Sequence, residues 1–285
     1  MKLTSILAVA EDVSSGTVVL DKAVQLAREF GARVELLVTD PAWVHPLALR
    51  CVERGFAEIA LCPAPHNSRH PLHEFLLRRI EERQPDILVK APTGAHPLRA
   101  TALQPGDVEL VDRCPIPLLL IRMKCWSRPL RVAAAVDISD PETARVARGV
   151  LQAAGFLALG FHGNIDILYT ERELEDDTLR MARAVKLAQL VREHHVGCER
   201  LQMFDGSPET RLPPLIAARQ YDVVVLGAVT HRDGVRLRET LTSRLFEATG
   251  GDLLLSKSEA RGHPRAAARE PSSRQQVSHQ AEELF

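Results

Sequence analysis

Arg83-Gln84-Pro85-Asp86-Ile87-Leu88-Val89 is answered later in the chain by Arg219-Gln220-Tyr221-Asp222-Val223-Val224-Val225. In each copy a basic helix end runs through Gln and Asp into a short apolar run. Reading forward, Leu118-Leu119-Leu120-Ile121-Arg122 matches Leu253-Leu254-Leu255-Ser256-Lys257. Reading back, Ile6-Leu7-Ala8-Val9-Ala10-Glu11-Asp12 matches Val132-Ala133-Ala134-Ala135-Val136-Asp137. The matches keep one order in both halves, which indicates duplicated domains, not a solenoid of short repeats. Continuous apolar runs of this length suit strands buried on both faces of a parallel sheet.

Between the runs the period changes. Leu20, Ala23, Val24, Ala27 and Phe30 form a helical stripe that Gly31 stops, and Arg33–Val38 is the next strand. In the second half, residues 144–159 read as helix and 165–169 as strand. A long helix over 173–194 is expected to turn Leu179, Ala182, Val185, Leu187, Leu190 and Val191 inward. Residues 199–204 are a further strand, and Gly206-Ser207-Pro208-Glu209 opens a helix to Arg219. The expected class is α/β: two tandem doubly wound parallel-sheet, Rossmann-like domains packed as a pseudo-dimer. The domains are residues 1–125 and 128–257, and 258–285 reads as a disordered tail rich in Ala, Arg, Ser and Gln. Pro41 and Pro46 truncate the second helix of the first domain. The short linker, about 124–129, implies that the domains pack together. Their apolar closing strands are expected at sheet edges, meeting edge to edge. The reading otherwise assumes two lobes of like topology, each with its own sheet.

The chain of 285 residues balances 36 basic against 37 acidic side chains, and 4% of it is aromatic. That argues against nucleic-acid binding by phosphate neutralisation or base stacking. No apolar run reaches bilayer length, and the start lacks the pattern of a secretory leader. The five cysteines are widely spaced with no C-x-x-C, which fits reduced thiols in a cytoplasm. No G-x-S-x-G, P-loop or H-E-x-x-H pattern occurs. His66, His70 and His73 read as a solvated turn, not a metal site. Cys114 reads as a structural thiol.

Taken together, the ordered pairs resemble the universal stress proteins in their tandem-domain (E-type) form, over about residues 1–257. The resemblance rests on Val136-Asp137-Ile138-Ser139-Asp140, on Gly206-Ser207-Pro208-Glu209-Thr210 and on the run from Asp222 to Val229. In the first half it rests on residues 103–110 with Arg113-Cys114-Pro115-Ile116-Pro117. It implies a cytoplasmic protein of the stress response. One branch of that family binds ATP with Mg²⁺ through G-x-x-G-x9-G-[S/T] after the fourth strand. Glycines there admit phosphates to backbone amides at a helix start. Carried over, Gly227 takes the first glycine position, Thr230 the second, Thr240 the third and Leu241 the Ser/Thr place, with Thr242 one further on. His231, Arg232 and Arg238 offer charge nearby. In the first half Lys90 stands at the first glycine, and Pro92, Pro97 and Pro105 break the loop, so no nucleotide is expected there.

The candidate pocket is therefore in the second domain, lined by Val136, Asp137, Ile138, Gly227, Thr230, Thr240 and Thr242. Asp137, Gly227, Thr240 and Thr242 also have plainer readings. Asp137 suits a helix cap, Gly227 a strand-end turn, and the threonines helix capping and packing. The leading expectation is a non-catalytic binding protein with a degenerate nucleotide site. One alternative is slow ATP hydrolysis in the second domain. Another is carriage of an apolar or lipid-like ligand, suggested by Val229 and Leu241. Expected partners are such a small ligand and proteins docking at sheet edges, with no nucleic acid or membrane. Whether whole chains form homodimers is left open.

Overall fold

The computed structural model describes residues 2–55, 59–63, 71–94, 102–122, 124–126, 128–171, 176–194, 197–228 and 237–257. The expected tail, 258–285, lies outside these. In the first half, β1 (Ser5–Ala10) leads into α1 (Val13–Phe30). Asp12 caps α1 by accepting from the Ser15 amide, and Gly31 ends it in the left-handed conformation at φ 67°. Next come β2 (Arg33–Val38), a 3₁₀ turn (Pro41–Trp43), α2 (Val44–Glu53) and β3 (Ile59–Pro63). They are followed by α3 (Leu72–Arg83), β4 (Ile87–Lys90), α4 (Pro105–Arg113) and β5 (Leu118–Leu120). The second half repeats the order: β6 (Arg131–Val136), α5 (Pro141–Gly160), β7 (Asn164–Glu171), α6 (Asp177–Glu193), β8 (Arg200–Asp205), α7 (Pro208–Arg219), β9 (Val223–Ala228), α8 (Leu237–Ala248) and β10 (Asp252–Lys257). With 10 residues against the 17 of its counterpart α6, α2 is the short helix that Pro41 and Pro46 foretell.

The duplication is visible in backbone detail. Gln84 and Gln220 both end their helices in the left-handed region, at φ 48° and 51°. Asp86 then accepts from the Thr4 and Ser5 amides, 2.7 and 3.0 Å, and Asp222 accepts from the Arg131 amide, 3.0 Å. The repeated Arg-Gln-x-Asp thus ties the entry of each fourth strand to the first strand of its half.

The strand order is β3-β2-β1-β4-β5 in one half and β8-β7-β6-β9-β10 in the other. The expectation of two separate sheets is corrected. β5 and β10 pair antiparallel, Leu119 opposite Leu254, and join all ten strands into one sheet. The reason is the one that predicted edge contact: each half ends in a triple-Leu edge whose free N–H and C=O groups need partners. Like topology in each half survives, as does the pseudo-dimer arrangement, realised as pairing instead of lobe packing.

Helices cover both faces. α1, α2, α5 and α6 bury Leu20, Leu47, Leu151 and Leu187 on one face; α3, α4, α7 and α8 bury Leu76, Leu110, Leu212 and Leu245 on the other. Both apolar layers run across the junction. On the first face Phe30 of α1 stacks on Phe156 of α5, ring centres 3.9 Å apart. The linker is part of this joint, because Trp126 meets Phe161 edge-on at 5.1 Å. Asp252, wholly buried, ion-pairs with the buried Lys22 of the other half. It also accepts from the Arg122 amide and Trp126 Nε1, each at 2.7 Å. The inward stripe expected on α6 is half right: Leu187 and Leu190 are buried, whereas Ala182 and Val185 are exposed. α6 lies at the outer end of the sheet, where few neighbours remain to cover a full stripe.

Candidate functional site

Open α/β sheets take ligands beyond the carboxyl ends of their strands, where the strand order reverses. Each half has one such crevice, between β1 and β4 and between β6 and β9. The ladders align the two crevices residue by residue. Val9 pairs with Lys90 and its equivalent Ala135 pairs with Leu226, so Lys90 corresponds to Leu226 and Ala91 to Gly227. This corrects the assignment of Lys90 to the first glycine position by one residue, in agreement with the ungapped match of Arg83–Val89 to Arg219–Val225. Asp107 corresponds to Thr242. Each lies three residues before a leucine, Leu110 or Leu245, whose carbonyl accepts from the residue ending the helix, Cys114 or Thr249.

The first-half crevice is filled by charge. Lys90, 2% exposed, reaches Asp107 Oδ1 at 2.6 Å and also pairs with Glu11. It donates to the Ala91 carbonyl at 2.9 Å and to Thr93 Oγ1 at 3.2 Å. Asp107, wholly buried, accepts from the Thr93 and Gln104 amides at 3.0 and 3.2 Å. The ammonium thus has two carboxylates and the carboxylate has its donors, the condition on which buried charge is tolerated. Pro105 opens α4 at its first position, where a missing amide costs nothing. Among the described residues the lysine of this crevice is thus fully engaged by its own carboxylates.

The second-half crevice has Leu226 and Thr242 in the places of Lys90 and Asp107, and Asp137 in the place of Glu11. Asp137 is exposed at the end of β6. Its Oδ1 accepts from the Ser139 amide at 2.9 Å and from Ser139 Oγ at 2.7 Å, which makes a tight turn. The helix cap is Asp140, which accepts from the Glu142 and Thr143 amides at 2.8 and 2.9 Å. Asp137 is therefore not the cap. Val136 and Ile138 are buried members of the core beneath the first-face helices, so they support the turn from below. Gly227 follows Leu226, where the β6–β9 ladder ends, and pairs with Ser256 of β10. A β-carbon there would come within 2.2 Å of Val146 Cγ1 and 3.3 Å of Val150 Cγ2. Close approach of α5 accounts for this glycine without a phosphate. Thr242 is buried at 6% exposure. Thr240 is in the first turn of α8, its side chain outside the described residues. Thr230 lies outside them altogether, as do His231, Arg232 and Val229. Leu241, partly buried, packs against the core on the α7–α8 face.

One group escaped the sequence reading. Tyr169 and Glu171 at the end of β7 meet Arg183 and Lys186 of α6 beside Asp137. Arg183 grips Glu171 with two bonds, 3.1 Å from Nε and 3.0 Å from Nη2. Tyr169 donates to the same carboxylate at 2.6 Å. Burial and the bond to Glu171 raise the phenol well above its ordinary range. Burial alone would raise Glu171 too, but the bonds from Arg183 and Tyr169 hold it below the usual carboxylate value. Lys186 donates to the Ile138 carbonyl at 2.8 Å, pinning the turn that carries Asp137. The faint signal was a basic pair spaced i, i+3 on a helix following a strand that ends in acid.

Among the described residues no three His, Cys, Asp or Glu side chains gather as a metal site. His66 and His70 lie outside them, and His73 is in the first turn of α3. All five cysteines are free thiols. Cys114 is buried, its thiol pushed up by burial and donating to the Ile116 carbonyl, as the structural reading expects. No helix described is long and apolar enough to cross a membrane.

Two half-sheets of order 3-2-1-4-5, fused through their fifth strands and each with a crevice at the same place, define a tandem Rossmann-like α/β protein. Known proteins share this architecture. The crystal structure of a putative universal stress protein from Pseudomonas aeruginosa UCBPP-PA14 covers 90% of this chain and is itself 94% covered, with TM-score 0.76 and 20% identity. A universal stress protein from Archaeoglobus fulgidus covers 90% and is 97% covered, with TM-score 0.66 and 12% identity. At these identities the likeness shows the fold. In sequence, the chain is 21% identical over 168 residues to a universal stress protein E homolog of Haemophilus influenzae. That match takes in 53% of the chain and spans about half, 54%, of the relative's length. No protein-family profile matches the chain.

Proposed function

We propose that the chain is a tandem universal stress protein that acts by binding, without catalysis, and that its small-ligand site is the crevice of the second domain. The domains are residues 1–125 and 128–257. The observation that carries this reading is the contrast at the strand ends. Lys90, Glu11 and Asp107 occupy the first crevice, while Leu226, Asp137 and Thr242 stand at the same positions in the second. Asp137 is exposed there and held in a fixed turn, ready to accept hydrogen bonds from a sugar or base edge. A nucleotide would be held by Asp137 and the start of α8, with charge from the loop before it. The substitution of Thr230 and Thr240 for motif glycines and the packing role of Gly227 weaken any phosphate grip, which favours binding over hydrolysis. A cytoplasmic place suits the five free thiols.

The test is thermal unfolding of the whole chain with and without ATP and Mg²⁺, beside an assay for released phosphate. A ligand at a hundred times its Kd adds about 2.7 kcal/mol to stability. The expected result is a stabilisation lost in Asp137→Asn, with no phosphate release. Steady release of phosphate that Asp137→Asn abolishes would establish the ATPase alternative. No shift at millimolar ATP would remove the nucleotide from the reading.

A further inference from the structure

Residues 258–285 follow β10, and the strand ladders place their starting point. Lys257 pairs with Ala228 across β9 and β10, and Ala135 pairs with Leu226 across β6 and β9. Asp137 therefore stands level with Ala228, and so with Lys257 on the far side of β9. At the usual spacing of neighbouring strands that separation is about 10 Å. The chain leaves the sheet at the carboxyl ends of the second half, beside the crevice proposed as the ligand site. Arg261 is the first basic residue after Lys257, and the extended chain between them spans about 13 Å. Its backbone can thus arrive at Asp137 before the length of the arginine side chain is counted.

The charges select the occupant. In the first half Glu11, at the position of Asp137, pairs with the buried Lys90. Among the described residues no lysine or arginine forms an ion pair with Asp137: Arg183 is engaged by Glu171 and Lys186 by the Ile138 carbonyl. The neighbouring helix starts add the carboxylates of Asp140, Asp176 and Asp177, so this end of the second half presents an acidic rim. The following chain offers the opposite sign. Residues 258–285 balance four Arg against four Glu, but 260–269 hold Arg261, His263, Arg265 and Arg269 with no acid. We propose that residues 258–269 dock across the second crevice and bring Arg261 to Asp137, supplying from the end of the sheet the cation that Lys90 supplies in the first half. The inference rests on the reading of that crevice as the ligand site in one respect: a docked tail competes with any ligand that uses Asp137.

The experiment needs no ligand. The whole chain carrying Arg261→Lys is treated with a carbodiimide, which joins an amine to a carboxylate in direct contact through an amide bond. Mass spectrometry of the digest then locates the links, and circular dichroism confirms that each variant is folded. The expected result is a link within one chain from position 261 to Asp137. Its yield should fall about fivefold or more at about 1 M salt, where the attraction is screened, and vanish when Asp137→Asn is added. No link to Asp137, a link indifferent to salt, or one formed only between two chains would overturn the proposal. Competition is read separately by titrating ATP and Mg²⁺. Joint Arg261→Glu, Arg265→Glu and Arg269→Glu should tighten binding about tenfold, the effect of a tail docked in about nine-tenths of the chains. Unchanged affinity in a chain that does bind ATP would overturn the proposal. A link to Asp137 in a chain indifferent to ATP would support the docking and remove only the nucleotide from the reading of the crevice.

Discussion

The two switch-point crevices of this molecule have the same backbone and opposite contents. In the first, Lys90 sits between Glu11 and Asp107 with its ammonium out of water. In the second, the matching Leu226 is apolar, Thr242 is neutral and Asp137 has no lysine from the neighbouring strand end. The first half fills its crevice from within with its three bonded charges. Duplication supplied two switch-point crevices, one closed by a lysine between two carboxylates and one ending in the exposed carboxylate of Asp137. The difference shows that a degenerate site need not be an eroded one: the first crevice is a fully bonded charge cluster.

The largest effect should come from Lys90→Ala. It leaves the wholly buried Asp107 and the mostly buried Glu11 without their cation, and breaking a buried pair in this way costs about 3–5 kcal/mol. Urea unfolding measures it. A loss below about 1 kcal/mol would mean that water reaches the cluster, and the contrast between the halves would fail.

A sharper test moves the first-half charges into the second. Leu226→Lys alone buries an ammonium near the single carboxylate of Asp137, so it should be strongly destabilising. Adding Thr242→Asp rebuilds the first-half set, Lys with two carboxylates. The double variant should recover at least about 2 kcal/mol of the loss, read as a coupling energy in a double-mutant cycle. Additive losses would show that the crevices are not equivalent in space.

Gly227 separates packing from ligand binding with a smaller effect. Gly227→Ala should destabilise by about 1–3 kcal/mol by overpacking against Val146, and Val146→Ala in the same chain should return part of it. If Gly227→Ala leaves stability unchanged but removes a ligand-induced shift in melting, the glycine serves the ligand.

Three matches in one order, Arg83–Val89 with Arg219–Val225 the clearest, were enough to read two like halves of alternating strands and helices. The structure adds what the repeat does locally, a left-handed helix end and a carboxylate that ties two strands, and it adds the strand order. The fusion into one sheet was half legible, since two triple-Leu edges call for partners but do not say whether they find each other within one chain. The site was less legible. Lys90 reads as a missing glycine in sequence because a lysine at a strand end signals solvent unless its two carboxylates, far apart in the chain, are known to converge on it. Likewise Arg183 and Lys186 look like solvated helix charges until the turn at Ile138 is seen to accept from them.

The smallest effect concerns that wall of the second crevice, and it has a definite sign in pH. Burial works against the Glu171 charge, but the two bonds from Arg183 and the one from Tyr169 outweigh it and hold the carboxyl below its ordinary value of 4.5. A carboxyl that binds its proton less readily when folded contributes stability above its unfolded value, and that contribution fades as pH falls through the folded one. The wild type should therefore lose more stability than Glu171→Gln between about pH 5 and the acid limit, while the two run parallel above pH 6. Urea midpoints across that range measure the difference. Equal slopes for wild type and Glu171→Gln would mean that Arg183 swings free in solution, and the turn presenting Asp137 would then lack one of its two supports from α6.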